Sequence, residues 1–397
     1  MKKKILIVSH AMELGGVERS LLGLLDAFDL EKVEVDLFLL RHQGELLDAI
    51  PEGINLLPAI PAYTVLARPM KDTLREGHVL LTAARLAGNI CAKLYAKMHL
   101  HTDSGVALDY SHKFTCPFMP RIQPEKEYDL AVSFLTPHYF VARKVAAKKK
   151  LAWIHTDYGT VQVDIPSETK MWGAYDYIAS ISDAVSESFL SVFPSLREKL
   201  ILIENILPAR LIMQQAKELI PRSETLANGV RLLSVGRYCT AKNFDNVPNI
   251  CARLIQSGLD LYWYIIGFGG SEELIRRKIR EAGMEDRVIL LGKKENPYPY
   301  IKDCDLYVQP SRYEGKCVAV REAQVLGKPV VITNYATSAS QLEDGVDGMI
   351  VPMDNVGCAE GIAALLRNPE RMAQLTNNCK LRDYTNKEEV EKIYDLL

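Results

Sequence analysis

Two carboxylates separated by seven residues, Glu314 and Glu322, stand in a stretch that reads Ser311-Arg312-Tyr313-Glu314-Gly315-Lys316 and then Arg321-Glu322-Ala323. A glycosidase-type acid and base pair works across one bond, with carboxyls about 5–10 Å apart. With Glu314 in a loop and Glu322 two turns into the following helix, the two stand about 10 Å or more apart at ~1.5 Å per residue. That spacing suits two parts of one long ligand better than one bond. Lys316 lies near the start of that helix, where the dipole disfavours a cation unless an anion shares the site; a long Lys reaching solvent is the plainer reading. A pair of cations sits in Gly236-Arg237, four residues on, then Lys242-Asn243. Arg grips phosphate oxygens with a two-pronged fork and Lys adds a point charge, against the competing reading of two solvated surface cations.

Glycines mark two further places. Gly15-Gly16 precedes a helical pattern, where a helix N-terminus offers free N–H groups to a phosphate, although such a pair also makes an ordinary turn. Gly267-Phe268-Gly269-Gly270 invites a dinucleotide reading but lacks the third glycine and the acidic residue of that fingerprint. Asp303-Cys304-Asp305 has the form of a metal-binding D-x-D, yet it directly precedes an apolar run, where Asp usually turns the chain.

The elements that must position these residues are short apolar runs followed by helical patterns. Strands are expected at 5–8, 35–40, 129–134, 151–155, 177–180 and 200–204, then at 231–235, 261–266, 287–291, 306–309, 330–333 and 348–351. Strands alternating with helices predict parallel sheets covered on both faces. The run Arg231-Leu232-Leu233-Ser234-Val235-Gly236-Arg237 echoes Lys4-Ile5-Leu6-Ile7-Val8-Ser9-His10. The fold class is therefore α/β, with two facing Rossmann-like domains and a ligand cleft between them at the carboxyl ends of the strands. The expected division is 1–208, a linker over 209–229, a second domain over 230–380, and a C-terminal helix over 381–397 packing back on the first domain.

The chain has 397 residues, 48 Lys plus Arg against 50 Asp plus Glu, and a net charge of −2, which argues against a nucleic-acid partner. Residues 62–150 hide a local excess, with fourteen bases and seven acids, so this segment is +7 and the remainder −9. An insertion over about 62–125 contains a helical pattern from 78 to 100. Its apolar stripe (Leu80, Leu86, Ile90, Leu94 and Met98 among others) is opposed by Arg85, Asn89, Lys93 and Lys97, and no acid occurs from 77 to 102. Two readings are open: a stripe covering the domain core, or a helix on an anionic membrane surface. Eight scattered cysteines without a C-x-x-C pair read as reduced thiols in a cytoplasmic protein. The apolar run after Lys2-Lys3-Lys4 is too short for a signal peptide, and no stretch is long enough to span a bilayer.

Taken together, Gly15-Gly16 with Val17-Glu18, the Gly236-Arg237 to Lys242-Asn243 loop, the Glu-seven-Glu motif and Gly327-Lys328-Pro329-Val330-Val331 resemble a family-4 retaining glycosyltransferase (glycosyl transferases group 1) of the GT-B fold. The resemblance implies a hexosyltransferase that takes its sugar from a nucleotide-sugar donor, UDP favoured over GDP, without a cofactor or bound metal. Its acceptor would be a glycan or a lipid-pyrophosphate-linked glycan in bacterial surface-polysaccharide synthesis, on the inner face of the membrane. Carried over to this sequence, Arg237 and Lys242 would hold the diphosphate, Glu322 the ribose and Glu314 the donor sugar. Backbone around Gly315, Lys316 and Cys317 would lie close to phosphate, Gly15, Gly16 and Gly267 would count among the donor-binding positions, and His155 would stand beside the transferred sugar. Lys316 and Gln324 depart from the family's usual aromatic or apolar residue and Met. Lys148-Lys149-Lys150, just before His155, point to an anionic acceptor. A catalytically silent nucleotide-binding subunit and an NAD-linked oxidoreductase are the alternatives.

Overall fold

The computed structural model describes the chain apart from residues 1, 14, 101–104, 136, 137, 157, 160, 225, 226, 228, 315 and 316. It forms two compact units, residues 1–207 with 386–397, and residues 208–385.

The N-terminal unit is built on seven strands: β1 (Lys3–Ser9), β2 (Val33–Leu39), β3 (Asn55–Leu56), β4 (Tyr128–Ser133), β5 (Ala147–Ile154), β6 (Tyr177–Ser180) and β7 (Leu200–Leu202). They lie in the order β3-β2-β1-β4-β5-β6-β7, all parallel, with Ile5 registered between Val35 and Leu130. Ile5, Leu6, Ile7 and Val8 are all fully buried, as a strand covered on both faces requires. The last residues belong to this unit. Tyr394 accepts a hydrogen bond from the Asp29 N–H at 2.7 Å and packs on Phe28, and Glu389 accepts one from the Glu204 N–H at 2.8 Å.

The C-terminal unit has six strands: β8 (Val230–Val235), β9 (Leu261–Ile266), β10 (Val288–Gly292), β11 (Leu306–Gln309), β12 (Val330–Thr333) and β13 (Met349–Val351). Their order is β10-β9-β8-β11-β12-β13, again all parallel. Strand order reverses between β8 and β11, and in an open α/β sheet that switch point opens a crevice beyond the carboxyl ends of the two strands.

Residues 209–229, expected as a linker, fold within this unit instead. The Ala209–Gln215 helix is tied to it where the Gln215 carbonyl accepts from Asn296 Nδ2 at 2.9 Å, and Glu224 pairs with Lys294 at 2.7 Å. No strand signal marks this stretch, because it is held by a short helix, a side-chain hydrogen bond and an ion pair rather than by a sheet.

The helix predicted over 78–100 is present as Val79–Met98, but its apolar stripe faces outward. Its buried positions are Leu81, Gly88 and Ala92. A Cβ at Gly88 would fall 2.8 Å from the Tyr110 carbonyl oxygen, so the missing side chain is what lets this helix press onto the Val106–Thr115 helix. Arg85, expected on the solvated side, is turned in and donates from Nη1 to the Val65 and Arg68 carbonyls at 2.7 and 2.6 Å. With the small residues and Arg85 taking the inner face, Leu86, Ile90, Leu94 and Met98 are left 49–72% exposed. No helix among the described residues is long and apolar enough to cross a membrane. All eight cysteines are unpaired thiols.

Candidate functional site

The loop after β8 and the loop after β11 meet at the switch point of the C-terminal unit. Gly236 donates to the Ile266 carbonyl at 3.0 Å, Tyr238 to the Phe268 carbonyl at 2.8 Å, and Thr240–Lys242 forms a single 3-10 turn. That turn closes on Asn243 in the left-handed conformation (φ 59°), which Asn tolerates well. Lys242 is thereby directed back across Gly236, whose added Cβ would lie 3.0 Å from the lysine Cε.

Lys242 Nζ meets Glu314 Oε1 at 2.6 Å, with the two side chains 16% and 10% exposed. Cys317 Sγ lies 3.7 Å from the same nitrogen. Burial pulls the lysine pKa down, but its interactions with the Cys317 sulfur and the Glu314 carboxylate prevail and it rises above its ordinary value. Glu314 Oε1 also accepts from Ser311 Oγ at 2.6 Å. Behind it runs a buried chain in which Gln309 Nε2 donates to Ser311 Oγ and Tyr307 OH donates to Gln309 Oε1, each at 2.9 Å. Arg237, by contrast, is exposed and without an ion-pair partner among the described residues. One buried cation is therefore fixed by a carboxylate, and a second cation on the same loop has none.

The two loops are clamped by a pair that sequence reasoning missed. Arg312 makes a two-pronged bond to Asp245, Nη1 to Oδ1 at 2.9 Å and Nη2 to Oδ2 at 2.8 Å, and also donates to the Thr240 carbonyl at 2.6 Å. Arg312 lies within the stretch read as informative, but nothing in the sequence joins it to a residue 67 positions away.

Glu322 is 7% exposed in the Val318–Val325 helix, and its Oε1 accepts from Tyr298 OH at 2.7 Å. Cys317 caps that helix, and its own N–H is taken by Gln341 Oε1 at 2.6 Å, so it offers this site a thiol rather than an N–H. Gly315 and Lys316 lie outside the described residues. Asp303 and Asp305 both close on Arg231, at 2.9 and 3.1 Å.

Gly267 serves the backbone. Its added Cβ would fall 1.9 Å from the Gly236 carbonyl oxygen, whereas one at Gly270 would meet nothing within 4 Å. Gly267→Ala should therefore cost about 3 kcal/mol by forcing the loops apart, and Gly270→Ala less than about 0.5 kcal/mol. Urea denaturation of both variants checks this; equal midpoints would show that the close approach is not required.

In the N-terminal unit, Gly15 precedes the Gly16–Ala27 helix. The Glu18 carboxylate folds over it, so that a Cβ on Gly15 would lie 2.1 Å from Oε2. A carboxylate thus already occupies the helix start where a phosphate was expected. His155 follows β5, its ring 4.7 Å from that of Phe134 and parallel to that of Trp153. Burial lowers its pKa to about 4, opposed by a hydrogen bond to the Phe134 backbone. Its Nε2 is enclosed without a partner among the described residues, an arrangement costly in a folded protein unless a ligand completes it.

Lys148, Lys149 and Lys150 lie in the first half of β5, and Lys150 stands about 16 Å from His155 at ~3.3 Å per residue. They are engaged by Asp129 (2.8 Å), Tyr177 (3.2 Å) and the Ala142 carbonyl (2.8 Å) respectively, so they do not reach toward the histidine. Beyond the carboxyl ends of β4 and β5 the same unit encloses a cavity of about 160 Å³, whose lining includes Asp109, His112, His138, Tyr158 and Glu168. Glu168 Oε2 accepts from Tyr158 OH at 2.9 Å and Trp172 Nε1 at 3.3 Å, and burial reinforced by Asp109 raises its pKa to about 7. The sequence reading passed over this cluster because its members come from three separate helices and loops.

Residues 216–382 match the pattern of glycosyl transferases group 1. Over 153 residues the chain is 30% identical to the N-acetylgalactosamine-N,N'-diacetylbacillosaminyl-diphospho-undecaprenol 4-alpha-N-acetylgalactosaminyltransferase of Campylobacter jejuni, covering 38% of this chain and 41% of that protein. It is also 30% identical over 171 residues to the amylovoran biosynthesis glycosyltransferase AmsK of Erwinia amylovora, covering 41% of each. The match thus spans about two fifths of the length of these curated relatives. Along its full length the fold is similar to HepE of Anabaena crystallised with UDP, with TM-score 0.56, 15% identity, and 100% and 99% of the two chains covered.

Proposed function

We propose, for a chain with the two α/β units of the GT-B fold whose residues 216–382 belong to glycosyl transferases group 1, that it transfers a sugar from a nucleotide-sugar donor to a glycan or lipid-linked acceptor. The observation that carries this reading is the switch point of the C-terminal unit, where exposed Arg237, without an ion-pair partner among the described residues, and largely buried Lys242 stand on one loop. A sugar–phosphate bond breaks with negative charge growing on the leaving diphosphate, and fixed cations stabilise that charge most where water is excluded. In this reading Arg237 and Lys242 hold the diphosphate, Glu322 the ribose and Glu314 the donor sugar. Transfer proceeds with retention and without a metal, UDP being preferred to GDP. The relatives' names and the UDP bound to HepE support the donor and acceptor classes.

On the acceptor side we place the cavity beside Glu168. Its lining of carboxyls, neutral imidazoles and aromatic rings suits a hydroxyl-bearing sugar and not an anion. In this reading the cavity takes the glycan end of the acceptor, and any lipid the acceptor carries stays in the membrane.

Isothermal calorimetry tests the donor reading. UDP should bind in preference to GDP and ADP, and Arg237→Ala should weaken that binding by about tenfold or more. Absence of binding to any nucleoside diphosphate sinks the reading. Binding without any donor hydrolysis favours a silent nucleotide-binding subunit.

A further inference from the structure

The Val79–Met98 helix presents its apolar side to solvent as a continuous ridge. Leu86, Ile90, Leu94 and Met98 recur every four residues, and Leu80 adds an exposed side chain near the helix start; these five are 49–72% exposed. At ~100° per residue Leu86, Ile90 and Leu94 lie about 120–180° from Leu81, Gly88 and Ala92, which press on the unit's own body, while Leu80 and Met98 stand roughly at right angles to them. The ridge is therefore the outermost part of the helix, where single apolar side chains are ordinary but an unbroken row of them is not.

The charges beside it are mostly basic, Asp72 on the preceding short helix being an exposed exception. Lys93 and Lys97 are exposed along one flank, Lys71 and Arg75 are exposed on the short Met70–Arg75 helix just before it, and residues 77–102 contain no acid. Glu76, the acid nearest in sequence, is paired with Arg68 at 2.6 Å. A second copy of this chain packed two-fold on the ridge would set Lys93 and Lys97 against their own counterparts, and the Val79–Met98 helix brings no acid to receive them, at a cost in repulsion. An anionic lipid surface meets both features at once: acyl chains take the ridge and headgroups take the lysines.

We propose that this helix is a membrane-docking element lying in the plane of an anionic bilayer, with Leu86, Ile90, Leu94 and Met98 inserted at the headgroup–acyl boundary and Lys93 and Lys97 on the headgroups. It shares with the proposed function only a lipid-linked acceptor. The binding is read without donor or acceptor, so either idea can fail alone.

The test is cosedimentation of the full chain with vesicles of phosphatidylcholine alone or with a third of the lipid as phosphatidylglycerol. Binding should be at least tenfold stronger to the anionic vesicles. The exposed triple variant Leu86→Ser/Ile90→Ser/Leu94→Ser should keep its unfolding midpoint and lose binding by on the order of 100-fold. Lys93→Gln/Lys97→Gln should lose about tenfold and erase most of the preference for phosphatidylglycerol. Triple-variant binding equal to the parent's overturns the proposal, as does a dimer in sedimentation equilibrium that the triple variant abolishes.

Discussion

Lys242→Met lowers donor turnover by two to three orders of magnitude and destabilises the C-terminal unit by about 3 kcal/mol, while Lys242→Met/Glu314→Gln recovers most of the stability and none of the turnover. The stability half follows from the ion pair. Both side chains are largely buried and 2.6 Å apart, and among the described residues Ser311 Oγ is the other donor to the same carboxylate oxygen. Removing the lysine leaves an enclosed carboxylate short of its counter-charge, a loss of about 3–5 kcal/mol when a buried pair is broken from one side. Neutralising Glu314 as well removes the charge and keeps its shape. The turnover half follows from the proposed role. A fixed ammonium beside the leaving diphosphate contributes on the order of 10²–10³ in rate, as removal of one preorganised donor does elsewhere. A glutamine at 314 cannot replace it. Urea denaturation and initial rates of donor hydrolysis on the two variants separate the halves. If the double variant turned over donor at the parental rate, Lys242 would be a structural cation and nothing more.

The sequence revealed most where local pattern and burial coincide. Ile5 to Val8 announced β1 because a strand covered on both sheet faces must be apolar throughout. β3, only Asn55 and Leu56 with neither buried, has no such pattern and was not predicted. The cations of the site were readable because they follow β8 closely, and the switch point turns sequence order into a place. The Arg312–Asp245 clamp was not, since its geometry exists only once two loops 67 residues apart are folded side by side. The Val79–Met98 helix is the most instructive case. Its period fixed a stripe but not the direction it faces. That was decided by Gly88, whose bare Cα admits the Tyr110 backbone, and by Arg85, whose guanidinium finds two inward carbonyls. Sidedness in a helix depends on which face allows close approach as well as on which face is apolar.

The N-terminal unit should lose stability steeply on mild acidification, by about 4 kcal/mol between pH 7 and pH 5. Burial depresses the pKa of His112 and His138 to about 3 and that of His155 to about 4, with further lowering of His112 by His138 and of His138 by His155. In the unfolded chain each titrates near 6.5. Below that pH the unfolded state takes up protons that the folded state refuses, so stability is complete above about 6.5 and falls as the pH drops. Each histidine costs about 2 kcal/mol over this interval, or about 6 for the three. Glu168 acts in the opposite sense. Its folded pKa of about 7 exceeds its ordinary value, so between about 4.5 and 7 the folded state holds the extra proton and gains about 2 kcal/mol on acidification. Asp109, raised chiefly by burial, adds to the Glu168 side, and His10, lowered chiefly by burial, adds to the histidine side. The net loss is a large share of the ~5–15 kcal/mol by which domains are stable. Trp153 stacks on His155 and Trp172 packs 4.5 Å from His138, so tryptophan fluorescence in urea titrations reports this unit. Glu168→Gln, which removes the opposing proton, should steepen the loss toward about 6 kcal/mol. A midpoint unchanged from pH 7 to pH 5, or a shallower slope in that variant, would mean that the enclosed histidines take up protons without unfolding.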